Sequence, residues 1–453
     1  MYDVAILGGG PGGYKAAELL SKAGNSVAII EKGNLGGTCL NKGCIPLKNL
    51  LHIGKVFHET NEFMKNGIIT ERDIMVEQSV IREQKNRNVS NLRNGLAYTL
   101  RSKSIQVISE NGYIEKKNND GNFVIRAGNE LVESKKLIIA TGSSNRVLFE
   151  QPNDCCYKVI DSDDMLMLDR RPNHILIIGA GVIGLESASY FKSIGSKVVV
   201  IDIADSIGTS LDREVAVAYQ KNLERKGIVF HTSTKVTEFG YDYVSYTDSE
   251  GNKFDERPDY VLVAVGRKAN VENIGLENID ITCPKGYIET NEYCETGVEN
   301  VYACGDVNGK YMLAHVAYKE ARIIASGILG QREKINYGQV PSIIYTNPEV
   351  ASVGLTEEQC IQQNVEYKKA VLPMAYNGRY FIENGKDFSI VKIIVDSNKE
   401  YVLGFHMIGN YSSEIVILME TIIINRLTLN QIKNLIFPHP TVGEIIQEAL
   451  EML

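Results

Sequence analysis

Two cysteines, Cys39 and Cys44, stand in the stretch Gly36-Gly37-Thr38-Cys39-Leu40-Asn41-Lys42-Gly43-Cys44-Ile45-Pro46-Leu47-Lys48, with a lysine one helical turn beyond the second. In an ideal helix, residues five apart point about 140° away from each other. A disulfide needs Cβ atoms about 3.5–4.5 Å apart. A bridge therefore requires Cys39 at or before the helix start, where Gly36, Gly37 and Gly43 let the chain bend. The spacing alone leaves a redox pair, two buried thiols and half of a metal site all open. At the far end of the chain His439 lies between Pro438 and Pro440, which fix the backbone, and Glu444 follows five residues on, near enough to orient an imidazole. Histidine's ordinary pKa of about 6.5 suits proton exchange at neutral pH. In isolation, a satisfied structural histidine is the commoner outcome for such a setting.

The elements that must position these groups begin with a short apolar strand, Asp3 to Leu7, followed at once by Gly8-Gly9-Gly10-Pro11-Gly12-Gly13. Gly8, Gly10 and Gly13 fit G-x-G-x-x-G, Tyr14 to Lys22 reads as a helix, and a second strand from Ser26 to Ile30 ends in Glu31. Strand, glycine turn, helix and strand with a terminal acid form the full context of a dinucleotide fingerprint. The glycines let pyrophosphate approach the helix N-terminus, and Glu31 can accept from ribose hydroxyls. The unit repeats about 170 residues later. Ile175 to Ile178 leads into Gly179-Ala180-Gly181-Val182-Ile183-Gly184, then a helix and the strand Lys197 to Ile201, which ends in Asp202. Asp202 repels a 2′-phosphate and hydrogen-bonds a free 2′-hydroxyl, and no arginine occurs in Ile203 to Ser206, so NAD is expected over NADP.

Between and after these units, the region from Ile53 to Leu100 is long and helix-patterned with solvated charges. Strands are expected at Ile105 to Ile108 and Phe123 to Arg126, with Asn111-Gly112 as a turn between them. Lys136 to Ser143 and Tyr260 to Arg267 read as buried strands with small-residue exits, and Asn300 to Cys304 as a strand leading to Asp306. Met312 to His315 opens a helix. Strand-like runs at Ser342 to Tyr345, Ile390 to Val395 and Val402 to Ile408, followed by helical segments, make the last part an α+β domain.

At 453 residues the chain is too long for one core and suggests about three domains. With 48 basic and 56 acidic side chains it lacks the charge for an extended nucleic-acid surface or an anionic membrane. No apolar run approaches the ~18 residues of a membrane helix. Met1-Tyr2-Asp3 runs straight into a strand without a basic leader, so a cytoplasmic protein is expected. Eight cysteines occur, most of them expected to be reduced thiols in such a compartment. Cys155-Cys156 reads as a loop feature and Cys304 as a core thiol, and no Cys/His set has zinc spacing, so no metal is expected.

From Asp3 to Glu444 the assembled motifs resemble those of the class I flavoprotein disulfide reductases, and among them the dihydrolipoamide dehydrogenases. The resemblance is carried by the first fingerprint, GGTCLNKGCIPLK, ATG at Ala140–Gly142, GAGVIGLE at Gly179–Glu186, VAVGR at Val263–Arg267, YACGD at Tyr302–Asp306, MLAH at Met312–His315 and HPTVGE at His439–Glu444. It implies an α/β fold with two Rossmann-like dinucleotide-binding domains and a C-terminal α+β dimerisation domain. Residues 1–143 would bind FAD, 144–268 NAD, 269–334 would form a central domain returning to the first, and 335–453 the homodimer interface.

The resemblance further implies that Cys39 and Cys44 form the redox disulfide, Cys39 exchanging with the lipoyl sulfur and Cys44 facing the flavin as a charge-transfer thiolate. His439 would be the acid/base, oriented by Glu444 and reaching the other subunit's cysteine pair, and Lys48 would sit near the flavin paired with Glu186. FAD contacts fall on Gly8, Gly10, Gly13, Glu31, Lys48, Gly112, Thr141, Gly142, Asp306 and Ala314, and NAD contacts on Gly179, Gly181, Gly184, Asp202, Gly266 and Arg267. The implied reaction oxidises protein-bound dihydrolipoamide and reduces NAD⁺, with lipoyl-domain proteins of a 2-oxoacid dehydrogenase, acetoin dehydrogenase or glycine cleavage complex as partners. A glutathione reductase-like enzyme is the alternative, and Asp202 counts against its usual NADPH. The chain departs from the family pattern at Lys42, Leu47 and Val442-Gly443.

Overall fold

The structure is a computed structural model that describes residues 1–70, 74–149 and 151–453. The chain divides into two compact units, the first made of Met1–Leu47, Val80–Arg146 and Gly266–Asn336, the second of Lys48–Ser79, Val147–Val265 and Tyr337–Leu453.

The first unit is organised by a seven-stranded sheet. Strands Gln106–Ile108, Val27–Ile30, Tyr2–Leu7, Glu130–Ile139 and Val301–Ala303 run parallel, and Phe123–Ala127 and Gly112–Lys117 extend the sheet as an antiparallel hairpin. Parallel strands buried on both faces carry continuous apolar runs. Val4 to Leu7 and Val27 to Ile30 are accordingly at most 2% exposed. The register pairs Leu7 with both Ile30 and Ile139, and Ile139 with Ala303. The residues that follow each strand therefore emerge at one carboxyl edge: Gly8, Glu31, Ala140 to Gly142, and Gly305-Asp306. That edge is where open α/β sheets bind ligands.

In the second unit the strands Val229–His231, Lys197–Ile201, His174–Ile178, Tyr260–Val263 and Lys158–Ile160 form a parallel sheet, so Gly179 and Asp202 again leave one edge together. In both fingerprints the third glycine is imposed by contact: a Cβ on Gly13 would lie 1.9 Å from the Gly8 carbonyl oxygen, and one on Gly184 1.9 Å from that of Gly179. The same unit holds a five-stranded antiparallel sheet, in the order Ser342–Ile344, Val350–Gly354, Val402–Ile408, Ile390–Asp396, Tyr367–Pro373, with helices Ser412–Ile424 and Ile445–Glu451 contributing to its core.

Two expectations change. Gly112 opens a strand rather than forming a turn, and the hairpin reverses at Asn118, whose Oδ1 accepts from the N–H groups of Asp120 and Asn122. The long helical region is two helices, Cys44–Lys65 and Gln78–Ser102. As expected, Cys39 lies before the start of the helix that bears Cys44, and it stands in a six-residue helix of its own, Gly37–Lys42. Gly43, at φ −141° and ψ −109°, breaks the two apart.

A buried cation ties the second unit together. Lys392, fully buried, donates to Asp212 at 2.8 Å and to Glu357 at 2.6 Å, with Glu214 at 3.0 Å. Asp212 also caps the Arg213–Arg225 helix and accepts from the Glu357 N–H. Burial works to raise the Glu357 carboxyl, but hydrogen bonds from Lys369 and Lys392 outweigh it and hold the group at about 2. Burial likewise opposes, and the Lys392 ammonium restores, the charge of Asp212, which also titrates below its ordinary range. Removing one partner of a buried pair costs about 3–5 kcal/mol, because the remaining charge stays buried. Lys392→Met should lower unfolding free energy in urea by that order. Because both carboxyl pKa values are depressed, their contribution is complete above the unfolded value of about 4 and is lost as pH falls toward 2. A urea midpoint in Lys392→Met equal to that of the parent would refute the role given to this lysine.

Candidate active site

Cys39 and Cys44 form a disulfide with Cα atoms 4.6 Å apart. The bridge is fastened to the first fingerprint by backbone alone. The Gly36 N–H donates to the Gly9 carbonyl at 2.8 Å, and Gly37 packs so closely that a Cβ there would stand 2.7 Å from Gly10 Cα. The Asn41 amide braces the short helix by donating to the carbonyls of Gly37 and Leu35 at 2.9 and 3.0 Å. The redox bond and the phosphate loop are thus parts of one hydrogen-bonded structure.

Lys48 donates to both carboxylate oxygens of Glu186 at 2.9 Å and lies 4.5 Å from the Tyr345 ring centre. Glu186 is 1% exposed and also accepts from the Tyr345 N–H at 3.0 Å. His439 Nδ1 lies 2.9 Å from Glu444 Oε2, which leaves Nε2 unengaged by that contact. The imidazole side chain is 82% exposed whereas Glu444 is 13% exposed. The sequence reading missed Asn377, which is fully buried and whose amide donates to the Thr441 carbonyl at 2.8 Å and to Glu444 Oε1 at 3.4 Å. Its only local signal is as the cap of the Gly378–Asn384 helix. The disulfide belongs to the first unit, the Lys48–Glu186 pair and the His439–Glu444 dyad to the second.

The strand-end acids behave alike. Glu31 accepts from the N–H groups of Gly9 and Gly33 at 2.6 and 2.7 Å, and Asp202 from those of Ala180 and Ala204 at 2.5 and 2.8 Å. Beside Glu31 a cleft of about 220 Å³ is lined by Gly8, Ile30, Gly112, Thr141 and the segment 268–274. Gly112 keeps strand packing tight, since a Cβ there would meet Leu7 at 2.4 Å. Thr141 donates to the Asn270 carbonyl at 2.7 Å, and Gly142 takes φ +70°. Asp306 accepts from Ser143 at 2.5 Å, and Ala314 begins the Ala314–Ile328 helix. Arg267 is engaged by Ser143 and Asn145, while Gly266 takes φ +103° with open space around it. A second residue that the sequence did not signal is Glu320, fully buried, which accepts from the Gly305 N–H at 2.6 Å and from Asn308 at 2.7 Å.

The pyridine nucleotide-disulphide oxidoreductase family matches residues 2–321, and its dimerisation domain matches residues 340–450. The chain belongs to this family. It is 35% identical over 452 residues to the dihydrolipoyl dehydrogenase of Bacillus subtilis, covering 99% of this chain and 97% of the relative. Identity to the mitochondrial dihydrolipoyl dehydrogenase of Pisum sativum is also 35%, over 99% and 90% of the two chains. Among solved structures, the HOCl-induced flavoprotein disulfide reductase RclA of Escherichia coli superposes with a TM-score of 0.87 at 26% identity, covering 100% of each chain. The protein is a flavin- and pyridine nucleotide-dependent oxidoreductase, with FAD and NAD(H) as cofactors. The residues present fit both groups: each glycine loop is held open by an acid at the next strand end, and the cleft beside Glu31 leads along the same sheet edge that carries Asp306.

Leaving a buried donor unpaired costs about 1–3 kcal/mol. Glu320→Leu should release the Gly305-Asp306 turn and weaken FAD retention roughly 10-fold, read from flavin released on dilution. Flavin retention equal to the parent would remove Glu320 from the cofactor site.

Proposed function

We propose that the chain oxidises protein-bound dihydrolipoamide to lipoamide and reduces NAD⁺, acting as a homodimer. The observation that carries this reading is the Cys39–Cys44 disulfide hooked onto the first phosphate loop, in a chain that also presents an acid-braced, outward-facing histidine. Within that reading, residues 1–143 hold FAD, 144–268 hold NAD, 269–334 complete the first domain and 335–453 form the dimer contact. The outer residues of the last segment suit such a contact, for Phe381, Ile382 and Ile436 are 53%, 85% and 96% exposed.

The chemistry of the side chains follows. A thiol attacks well only as thiolate. His439 Nε2 takes the proton from a substrate thiol, and Glu444, itself held by Asn377, keeps the ring oriented and stabilises the imidazolium. The substrate thiolate attacks Cys39 Sγ, the Cys39–Cys44 bond breaks, and Cys44 leaves as thiolate. The second substrate sulfur then displaces Cys39, closing the lipoyl disulfide and leaving both cysteines reduced. FAD, when bound, supplies the two-electron relay from that reduced pair to NAD⁺. Lys48, one turn beyond Cys44 in the chain and held by Glu186, would supply positive charge to the flavin. Asp202 selects a nucleotide with a free 2′-hydroxyl.

Lipoyl-domain proteins of a 2-oxoacid dehydrogenase, acetoin dehydrogenase or glycine cleavage complex are the partners that go with this activity. Six cysteines stand outside any disulfide, which accords with the reducing cytoplasm. Among the described residues, no helix is long and apolar enough to cross a membrane.

The deciding assay is NAD⁺ reduction by dihydrolipoamide, run beside glutathione with NADPH. Turnover with glutathione and NADPH alone would replace this reading by a glutathione-type one. His439→Ala should lower lipoamide turnover at least ~10²-fold with FAD still bound. Parental turnover in that variant would sink the base assignment. The ratio of kcat/KM for NAD over NADP should exceed one in the parent and fall in Asp202→Ala, and an NADP preference in the parent would refute the role of Asp202.

A further inference from the structure

Away from the dinucleotide edges, the Cys44–Lys65 and Val182–Ser193 helices cross closely at Gly54, where a Cβ would stand 3.2 Å from the Tyr190 ring and 3.3 Å from Ser193. Beyond the crossing lies a cleft of about 280 Å³, closed on its third side by the end of the Arg213–Arg225 helix. Helix faces that merely pack together carry apolar residues at this spacing. Here the first helix turns His58, Asn61 and Lys65 into the cleft beside Phe57, and the other two add Lys192, Lys226 and the apolar Leu223.

The charge there is unbalanced. Lys65 is paired with Glu62 at 2.7 Å, but neither Lys192 nor Lys226 has a carboxylate within 4.0 Å among the described residues. Lys192 Nζ reaches the turn that follows Lys226, where a Cβ on Gly227 would lie 2.9 Å away. Asp387, the acid that acts most strongly on Lys226, already accepts from Tyr380 and Ser389. Lys55, Glu59 and Glu62 act on it from the first helix. Burial is the largest influence on Lys226 and, with the charge of Lys55, brings its amine down to about 8. His58 is lowered by burial first and then by Lys226 itself. Two lysines that line one cleft without an ion pair of their own, beside an amide and an imidazole, form an arrangement that an anion with several acceptor oxygens completes.

We propose that this cleft is a binding site for a phosphate-bearing anion, with Lys192 and Lys226 supplying the charge and Asn61 and His58 hydrogen bonds. A carboxylate offers one charge and two oxygens to the same pair, so phosphate is favoured. The phosphate can be free or carried by a small organic molecule, and one experiment separates the two. Holoenzyme with FAD bound and NAD⁺ saturating, so that both dinucleotide sites are filled, is titrated calorimetrically with inorganic phosphate, glycerol phosphate and acetate. Phosphate or its ester should bind once per chain with a Kd of about 1 mM or below. The tighter of the two identifies the source. Lys192→Met and Lys226→Gln should each weaken binding at least ~10-fold, and Lys226→Arg should retain it. No saturable binding up to about 10 mM overturns the proposal. So does binding that both substitutions leave unchanged, or acetate binding as tightly as phosphate. None of these residues takes part in thiol exchange, so the outcome is independent of the assay for dihydrolipoamide.

Discussion

The hydrogen bond on which most of this structure depends runs from a strand-end carboxylate to the amide of a glycine loop. Glu31 to Gly9 and Asp202 to Ala180, at 2.6 and 2.5 Å, are the same contact made twice. A charged acceptor on a backbone N–H is roughly twice as strong as a neutral pair. It fixes the loop in the open form that a pyrophosphate needs while leaving the carboxylate at the ligand's edge. In the first unit the consequence goes further. The carbonyl of Gly9, the residue whose N–H Glu31 holds, accepts from Gly36, and Gly36 starts the helix bearing Cys39. The position of the disulfide is thereby inherited from the position of the phosphate loop, through glycines that leave no side chain between them.

Two lysines show how differently a buried carboxylate can be used. Lys392 is enclosed by Asp212, Glu357 and Glu214 and has no freedom to meet a ligand. Lys48 is 32% exposed at the side chain while its partner Glu186 is 2% exposed. A fixed anion under a half-open cation orients the ammonium without consuming all of its three donors. The first arrangement joins elements, and the second holds a charge in place for chemistry at the surface of the unit.

The sequence made the fold class legible because the glycine loops, the strand-end acids and the apolar parallel strands are all local signals. It misplaced elements whose structure depends on distant partners. Tyr367–Pro373 went unread because Lys368 and Lys369 break its apolar run, although the strand is fixed by seven residue pairs with Ile390–Asp396. Gly112 looked like a turn because a glycine after asparagine usually is one. Its real reason is the Leu7 side chain, 105 positions earlier in the chain. Cys39 was expected before the helix start and lies there, but its own short helix, ended by Gly43, carried no signal. Among site residues, cysteines, the proline-flanked histidine and the acids at strand ends could be read. Glu320 and Asn377 could not, because each acts on a loop outside its own helix, 15 and 64 residues away for Gly305 and Thr441.

The gradient of burial across the histidine site carries a mechanistic meaning of its own. Asn377 is fully buried, Glu444 is 13% exposed and the His439 side chain is 82% exposed. Each step outward is anchored by the one beneath it, so the imidazole has one nitrogen bound and the other directed to the surface. Ordering an exposed side chain costs conformational entropy, typically a large part of 1 kcal/mol or more. Within the chain that bears it, the exposed ring meets this cost with the single contact to Glu444. The gain comes when a second surface closes over the ring, excluding water and setting Nε2 against a reacting sulfur. The dimeric reading supplies that surface, and the exposed apolar side chains of the same domain would bring it there. On that reading, one buried asparagine serves both association and catalysis, capping the helix that bears Phe381 and Ile382 and holding the acid that orients His439.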